Sequence, residues 1–229
     1  MKKIITHLLA GVAFLSAACT QQNGTPGGSS AETPYPLNRS EVTVNPKEGK
    51  TVLIIEASPN KGGNTDTMAD EFARGASEAG GKVEKIFLAD LDIAPLNAES
   101  LSNFADQSLR QHDDADEVIR KMIQADVIVL SSPVWFMSVT SQLKVLIDRC
   151  FYGYREMKDK EFYYLMACAD REISTPEYAL SGFRGFVMCL PNATERGMVL
   201  ATGMGMPGAV KDSEFLAQAY ELGKTINKQ

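Results

Sequence analysis

Five short apolar runs punctuate this chain, and stretches of helical periodicity fill the gaps between them. Thr51-Val52-Leu53-Ile54-Ile55 is almost continuously apolar, the signature of a strand buried on both faces of a parallel sheet. After a glycine-containing loop, Asn64 or Thr65 can cap a helix. Its apolar residues Met68, Phe72 and Ala76 recur every four positions, and Gly80-Gly81 stops it. The same reading predicts strands over 83–88, 127–130, 162–168 and 198–201, with helices over 113–124, 138–151, 176–189 and 213–227. Phe215, Leu216, Ala219, Tyr220 and Leu222 form the apolar stripe of the last helix. Parallel strands need helical crossovers, so this alternation specifies an α/β fold, a doubly wound five-stranded parallel sheet with helices on both faces. Ligands on such sheets bind at the carboxyl ends of the strands, which singles out the loops after Ile55, Leu130, Cys168 and Ala201.

The first 18 residues follow a different pattern. Lys2 and Lys3 precede an apolar stretch, Ile4 to Ala18, broken only by Thr6, His7 and Ser16. At 1.5 Å per residue it spans about 22 Å, short of the roughly 20 apolar residues a membrane helix needs. A basic start, a short apolar run and small residues after it describe a secretory signal peptide, residues 1–18. Leu15-Ser16-Ala17-Ala18-Cys19 resembles a bacterial lipobox, with the leucine one position further from the cysteine than the usual pattern has it. That resemblance implies lipidation at Cys19 and an exported lipoprotein anchored to a membrane; the alternative is cleavage after Ala18 with Cys19 unmodified. Residues 19–46 read as a flexible tether, because Thr20 to Ser40 is rich in Gly, Pro, Ser, Thr, Asn and Gln and has little to bury. Residues 47–229 make up the globular domain.

Composition narrows the function classes. The net charge of the 229-residue chain is −6 and its Lys and Arg residues are scattered, which argues against nucleic acid as a partner. Cys150, Cys168 and Cys189 show no CxxC pairing and no histidine at ligand spacing, so a zinc site is not expected and buried thiols are. Spacing selects no disulfide partner among them. His112 lies in a polar run and reads as solvated.

Two loops carry the candidate chemistry. Ser58-Pro59-Asn60-Lys61-Gly62-Gly63-Asn64-Thr65 joins a strand to a helix N-terminus, where free amides and the helix dipole favour an anion. It lacks the Walker A spacing, so a nucleoside triphosphate is not indicated. Ser131-Ser132-Pro133-Val134-Trp135-Phe136-Met137-Ser138 places the only tryptophan beside Phe and Met at a strand end, an apolar wall suited to a planar ring. Gly203-Met204-Gly205-Met206-Pro207-Gly208 formally matches G-x-G-x-x-G. It lacks the βαβ unit and the distal acid of a dinucleotide fingerprint, and reads as a mobile turn before the last helix.

The first of these loops resembles the Ser-Pro-x-x-x-Gly-Asn-Thr phosphate loop of the NADPH-dependent FMN reductase and iron–sulfur flavoprotein families. The stretch Ala125–Phe136, running on through Gln142-Leu143-Lys144 and Ile147-Asp148-Arg149, is similar to their second signature. The resemblance runs from Lys50 to Lys228. It implies a flavodoxin-like fold, with FMN phosphate held by Ser58, Asn60, Asn64 and Thr65. By the same resemblance Pro133, Val134, Trp135 and Phe136 line the isoalloxazine, with Ala169 and Asp170 in a third flavin-contacting loop. It further implies NAD(P)H as co-substrate, a small-molecule electron acceptor such as a quinone or electron-poor aromatic, and a homodimer or homotetramer. No catalytic side chain is expected, since the flavin carries the chemistry. The segment 89–112 contains no cysteine where the iron–sulfur members carry theirs, which removes a cluster from that loop. Two other readings remain open: an electron carrier reduced by a membrane or protein partner, and a non-enzymatic interaction lipoprotein.

Overall fold

The computed structural model describes residues 49–102 and 110–228. The expected leader, the tether as far as residue 46 and Cys19 lie outside these residues.

Strand β1 (Thr51–Glu56) leads to helix α1 (Asn64–Glu78) and strand β2 (Lys82–Phe87). A single 3-10 turn (Leu88–Asp90) and the short helix α2 (Ala98–Ser102) follow, then α3 (Ala115–Gln124), β3 (Val127–Pro133) and α4 (Ser141–Arg149). The chain ends on β4 (Glu161–Ala167), α5 (Ser174–Met188), β5 (Thr194–Ala201) and α6 (Glu214–Gly223). The five strands are all parallel, in the order β2-β1-β3-β4-β5. The predicted fold class and every predicted strand and long helix are therefore present. Strands β3 and β5 extend beyond their apolar runs, because Ser131, Ser132 and Thr194–Gly197 are carried by backbone pairing with neighbouring strands rather than by hydrophobicity.

Alternation along the strands divides the core in two. Leu53, Ile55, Ile128, Leu130, Phe162 and Tyr164 face α3, α4 and α5, where they meet Val118, Ile119, Met122, Leu143, Leu180 and Phe183. Val52, Ile54, Val127, Val129, Tyr163 and Leu165 face α1 and α6, packing on Met68, Phe72, Ala76 and Ala219. Helices α1 and α6 approach so closely that a Cβ at Gly75 would lie 2.1 Å from the Tyr220 carbonyl oxygen, and one at Gly223 would lie 2.2 Å from that of Phe72.

The long segment between β2 and α3 is tied down by the fully buried Arg149. Its guanidinium donates to the carbonyls of Ala94 (2.8 Å) and Gln111 (3.3 Å) and pairs with Asp113. Burial alone would raise the Asp113 carboxyl, but the Arg149 bond and the amides of Ala115 and Ala94 hold it below the usual carboxylate range. Cys150 and Cys168 are buried free thiols.

Candidate functional site

The strand order reverses between β1 and β3, so the loops that follow them leave on opposite faces and open a crevice at their carboxyl ends. A cleft of about 220 Å³ lies there, lined by the loops after β1, β3, β4 and β5. Ser58, Asn60, Asn64, Thr65, Pro133, Val134, Trp135 and Ala169 all border it. Among the described residues, no Asp, Glu, Lys or Arg lines it.

On the polar side, the loop 57–63 turns through Gly62 at φ 71°, a left-handed conformation that glycine adopts without strain. The amide of Asn60 donates to the Ser58 hydroxyl (3.1 Å), and the amide of Gly63 closes the turn onto the Asn60 carbonyl (3.0 Å). No side chain caps α1. Its first-turn amides lack intrahelical partners, and Asn64 and Thr65 among them border the cleft, at the positive end of the helix dipole.

Two expected phosphate ligands have other duties. The Asn64 carboxamide donates to the carbonyls of Met204 and Met206 (both 3.0 Å) and accepts from the amide of Val210 (3.2 Å). Its side chain is a clamp on the turn after β5, so Asn64 offers an anion its backbone amide rather than its carboxamide. The Thr65 hydroxyl donates inward to Glu56 (2.7 Å), leaving Thr65 likewise to contribute its amide.

On the apolar side, Val134 continues from β3 by donating to the Ala167 carbonyl (2.8 Å). Trp135 and Ser138 then exchange backbone hydrogen bonds of 2.9 and 3.0 Å around Phe136 and Met137, which sit at φ 50° and 60°. This is a two-residue turn with both central residues left-handed, a geometry normally given to Asn and Gly. The turn leaves Trp135 on the cleft and swings Phe136 outward to full exposure. Trp135 thus borders the cleft and Phe136 does not.

Asp170 does not border the cleft either. Its carboxylate accepts from the Glu172 amide (3.1 Å) and the Thr175 hydroxyl (2.8 Å), which ties the loop after β4 to the first turn of α5. These donors hold its carboxyl below the usual range. Cys168 does border the cleft, and burial pushes its thiol up.

The glycine-rich turn set aside in the sequence forms the remaining wall through Met204, Gly205, Met206 and Pro207. It is stitched in place by Met204 N–H to the Cys168 carbonyl (2.7 Å), Gly203 N–H to the Asp170 carbonyl (2.6 Å) and the Asn64 clamp. Its place after Ala201, at the binding end of the sheet, is the sequence signal that marks it, in spite of the failed motif.

Beneath the polar loop lies Glu56, at the end of β1 and inaccessible to solvent. One carboxyl oxygen accepts from the Ser58 amide (2.9 Å) and the Thr65 hydroxyl (2.7 Å); the other has no hydrogen-bond partner. The Ser131 hydroxyl lies 3.4 Å from the Thr65 carbonyl and is also within reach of the Glu56 carboxyl. Burial pushes the carboxyl up to about 7; the Ser131, Thr65 and Ser58 donors pull it down, and the charge of Asp66 adds to the rise.

The donor set fits a phosphomonoester carrying a flat ring: neutral N–H and O–H groups at a helix N-terminus on one side, Pro133, Val134 and Trp135 on the other. Comparison with known proteins agrees with that chemistry. Residues 51–191 match a family model described as NADPH-dependent FMN reductase. An iron–sulfur flavoprotein of Archaeoglobus fulgidus is 31% identical over 179 residues, covering 77% of this chain and 78% of that protein. One from Methanocaldococcus jannaschii is 38% identical over 98 residues, covering 43% of this chain and 50% of its own length. Among solved structures, an NAD(P)H:quinone oxidoreductase from Methanothermobacter marburgensis superposes with a TM-score of 0.63 at 21% identity, covering 79% of this chain and 98% of that one.

Proposed function

The chain belongs to the NADPH-dependent FMN reductase family, and from that membership we propose that FMN occupies the cleft between α1 and the Trp135 turn, serving an NAD(P)H oxidoreductase that reduces a small acceptor. The observation that carries the placement is the uncapped N-terminus of α1 facing an apolar wall across one cleft. In this reading the amides of Asn64, Thr65 and Asp66, with the Ser58 hydroxyl, hold the phosphate. Asn60 borders the same end. Pro133, Val134 and Trp135 support one edge of the ring, and Ala169 with Gly205 keeps the opposite wall thin. When bound, FMN supplies the ring that accepts and returns a hydride. In this reading the side chains bordering the cleft bind, orient and shield the cofactor.

Quinones and other electron-poor aromatics suit the flat, apolar opening beside Trp135 as acceptors. The exposed tip of Phe136 and Met137 supports assembly as a homodimer or homotetramer that covers it. The lysine-led leader and Cys19 support export and lipid anchoring. Nicotinamide nucleotides are scarce outside the cytoplasm, and this favours a second reading in which a membrane or protein partner reduces the flavin.

One experiment separates these. Purified protein should be yellow and, mixed anaerobically with NADH or NADPH, should bleach on the timescale of turnover. Bleaching by dithionite but by neither nucleotide selects the carrier reading. A colourless protein that takes up no FMN removes both. Mass spectrometry of the mature N-terminus tests lipidation at Cys19.

A further inference from the structure

We propose that Glu56 is a proton-coupled positioning residue of the phosphate site: its carboxyl holds a proton while a phosphomonoester occupies the loop above it and releases that proton when the loop empties.

The geometry is that of a single layer. Ser58 and Thr65 both border the cleft, and both reach backward to the same carboxyl oxygen of Glu56. An anion held by the α1 amides therefore has a second acid directly behind its binding residues. In register across the sheet, Glu56 sits between Phe87 of β2 and Ser131 of β3, neither of which carries charge. The charged neighbour on α1 is Asp66, whose carboxylate accepts from the Gly62 amide (2.7 Å) and from Lys85 of β2 (2.6 Å). Lys85 is shared with Asp70, and Lys61 on the loop is held by Asp90. None of these cations bonds to Glu56, and none lines the cleft. A dianionic phosphate and an ionised Glu56 would face each other with no compensating cation between them.

The carboxyl meets this by taking a proton from solvent. Protonation removes the repulsion, leaves one oxygen able to accept from Ser58 and Thr65, and gives the unpartnered oxygen an O–H. The Ser131 hydroxyl lies within reach of the carboxyl as its acceptor. The buried carboxyl is already poised for this near neutrality. The sign follows from linkage: uptake of one proton on binding makes affinity fall as pH rises above the carboxyl's value in the free protein.

This inference rests on FMN as the ligand, and its test distinguishes the two. The full chain, freed of flavin, is titrated with FMN and with riboflavin from pH 7 to 8.5, following flavin fluorescence. FMN should bind roughly tenfold more weakly per pH unit at the alkaline end, while riboflavin, which has no phosphate, should show no such slope. Calorimetry of FMN binding to the unaltered protein at pH 8, in two buffers of different ionisation enthalpy, should report net proton uptake approaching one. Glu56→Gln, neutral at every pH, should abolish the slope and bind FMN more tightly than wild type at pH 8.5. A flat FMN profile, an equal slope with riboflavin, no proton uptake, or a slope that survives in Glu56→Gln would overturn the proposal. Failure of the wild-type chain to bind FMN at any pH would instead remove the flavin assignment itself.

Discussion

Replacing Asn64 by Ala separates two ways in which a residue can matter to a phosphate site. The carboxamide makes three hydrogen bonds, to Met204, Met206 and Val210, and all three go to the turn after β5. A net value near 1 kcal/mol each gives about 3 kcal/mol. The Met206 contact is exposed, so water replaces part of it and the expected loss is about 2 kcal/mol. Urea unfolding of the flavin-free protein should show that loss. The amide of Val210 should also exchange faster with solvent, reporting release of the turn. Because the turn forms a wall of the cleft rather than its phosphate end, FMN and riboflavin should weaken by the same factor. A carboxamide that touched the phosphate would weaken FMN alone. Unchanged stability together with a defect confined to FMN would refute the clamp.

Other consequences are equally specific. Between its ordinary value of 4.5 and the folded value of about 7, Glu56 keeps a proton in the folded chain that the unfolded chain has lost. Its contribution to stability is thus fully present below 4.5 and is lost as pH rises to about 7, by about 3 kcal/mol. Glu56→Gln should remove that slope in urea titrations at pH 5 and pH 8; a wild-type-to-mutant difference that does not change with pH counts against it. Gly75→Ala and Gly223→Ala each drive a methyl into a backbone carbonyl across the α1–α6 crossing and should cost at least about 2 kcal/mol in thermal or urea unfolding. Met137→Gly relieves a left-handed conformation and should raise stability by about 1 kcal/mol, a gain visible as a higher unfolding midpoint.

The sheet was readable in the sequence because its central strands are buried on both faces, which leaves an uninterrupted apolar run at each. Both loops that open the cleft were readable for a related reason: glycines at a helix start and a tryptophan at a strand end are costly placements without a ligand. What stayed hidden depended on direction. Phe136 and Trp135 are neighbours in sequence, and only the left-handed pair at 136–137 decides which ring meets the cleft. Asp170 looked like a flavin contact until Thr175 and Glu172 claimed its carboxylate. The turn 203–208 fails the dinucleotide motif, yet its place after β5 marks it as a binding loop. Nothing in the sequence distinguishes Glu56, since burial beneath a loop leaves no trace there.

The crossing of α1 and α6 at Gly75 and Gly223 also fixes an order of events. Among the described elements, the helix whose N-terminus borders the cleft comes first in chain order and the helix that backs it comes last. A growing chain therefore carries the loop and the uncapped amides long before Met68, Phe72 and Ala76 have acquired the whole of their cover. Until residue 223 arrives, the anion site stands on a helix with one side wet. Such a chain, halted short of its final helix, holds every residue that lines the cleft and lacks the brace that keeps them in register.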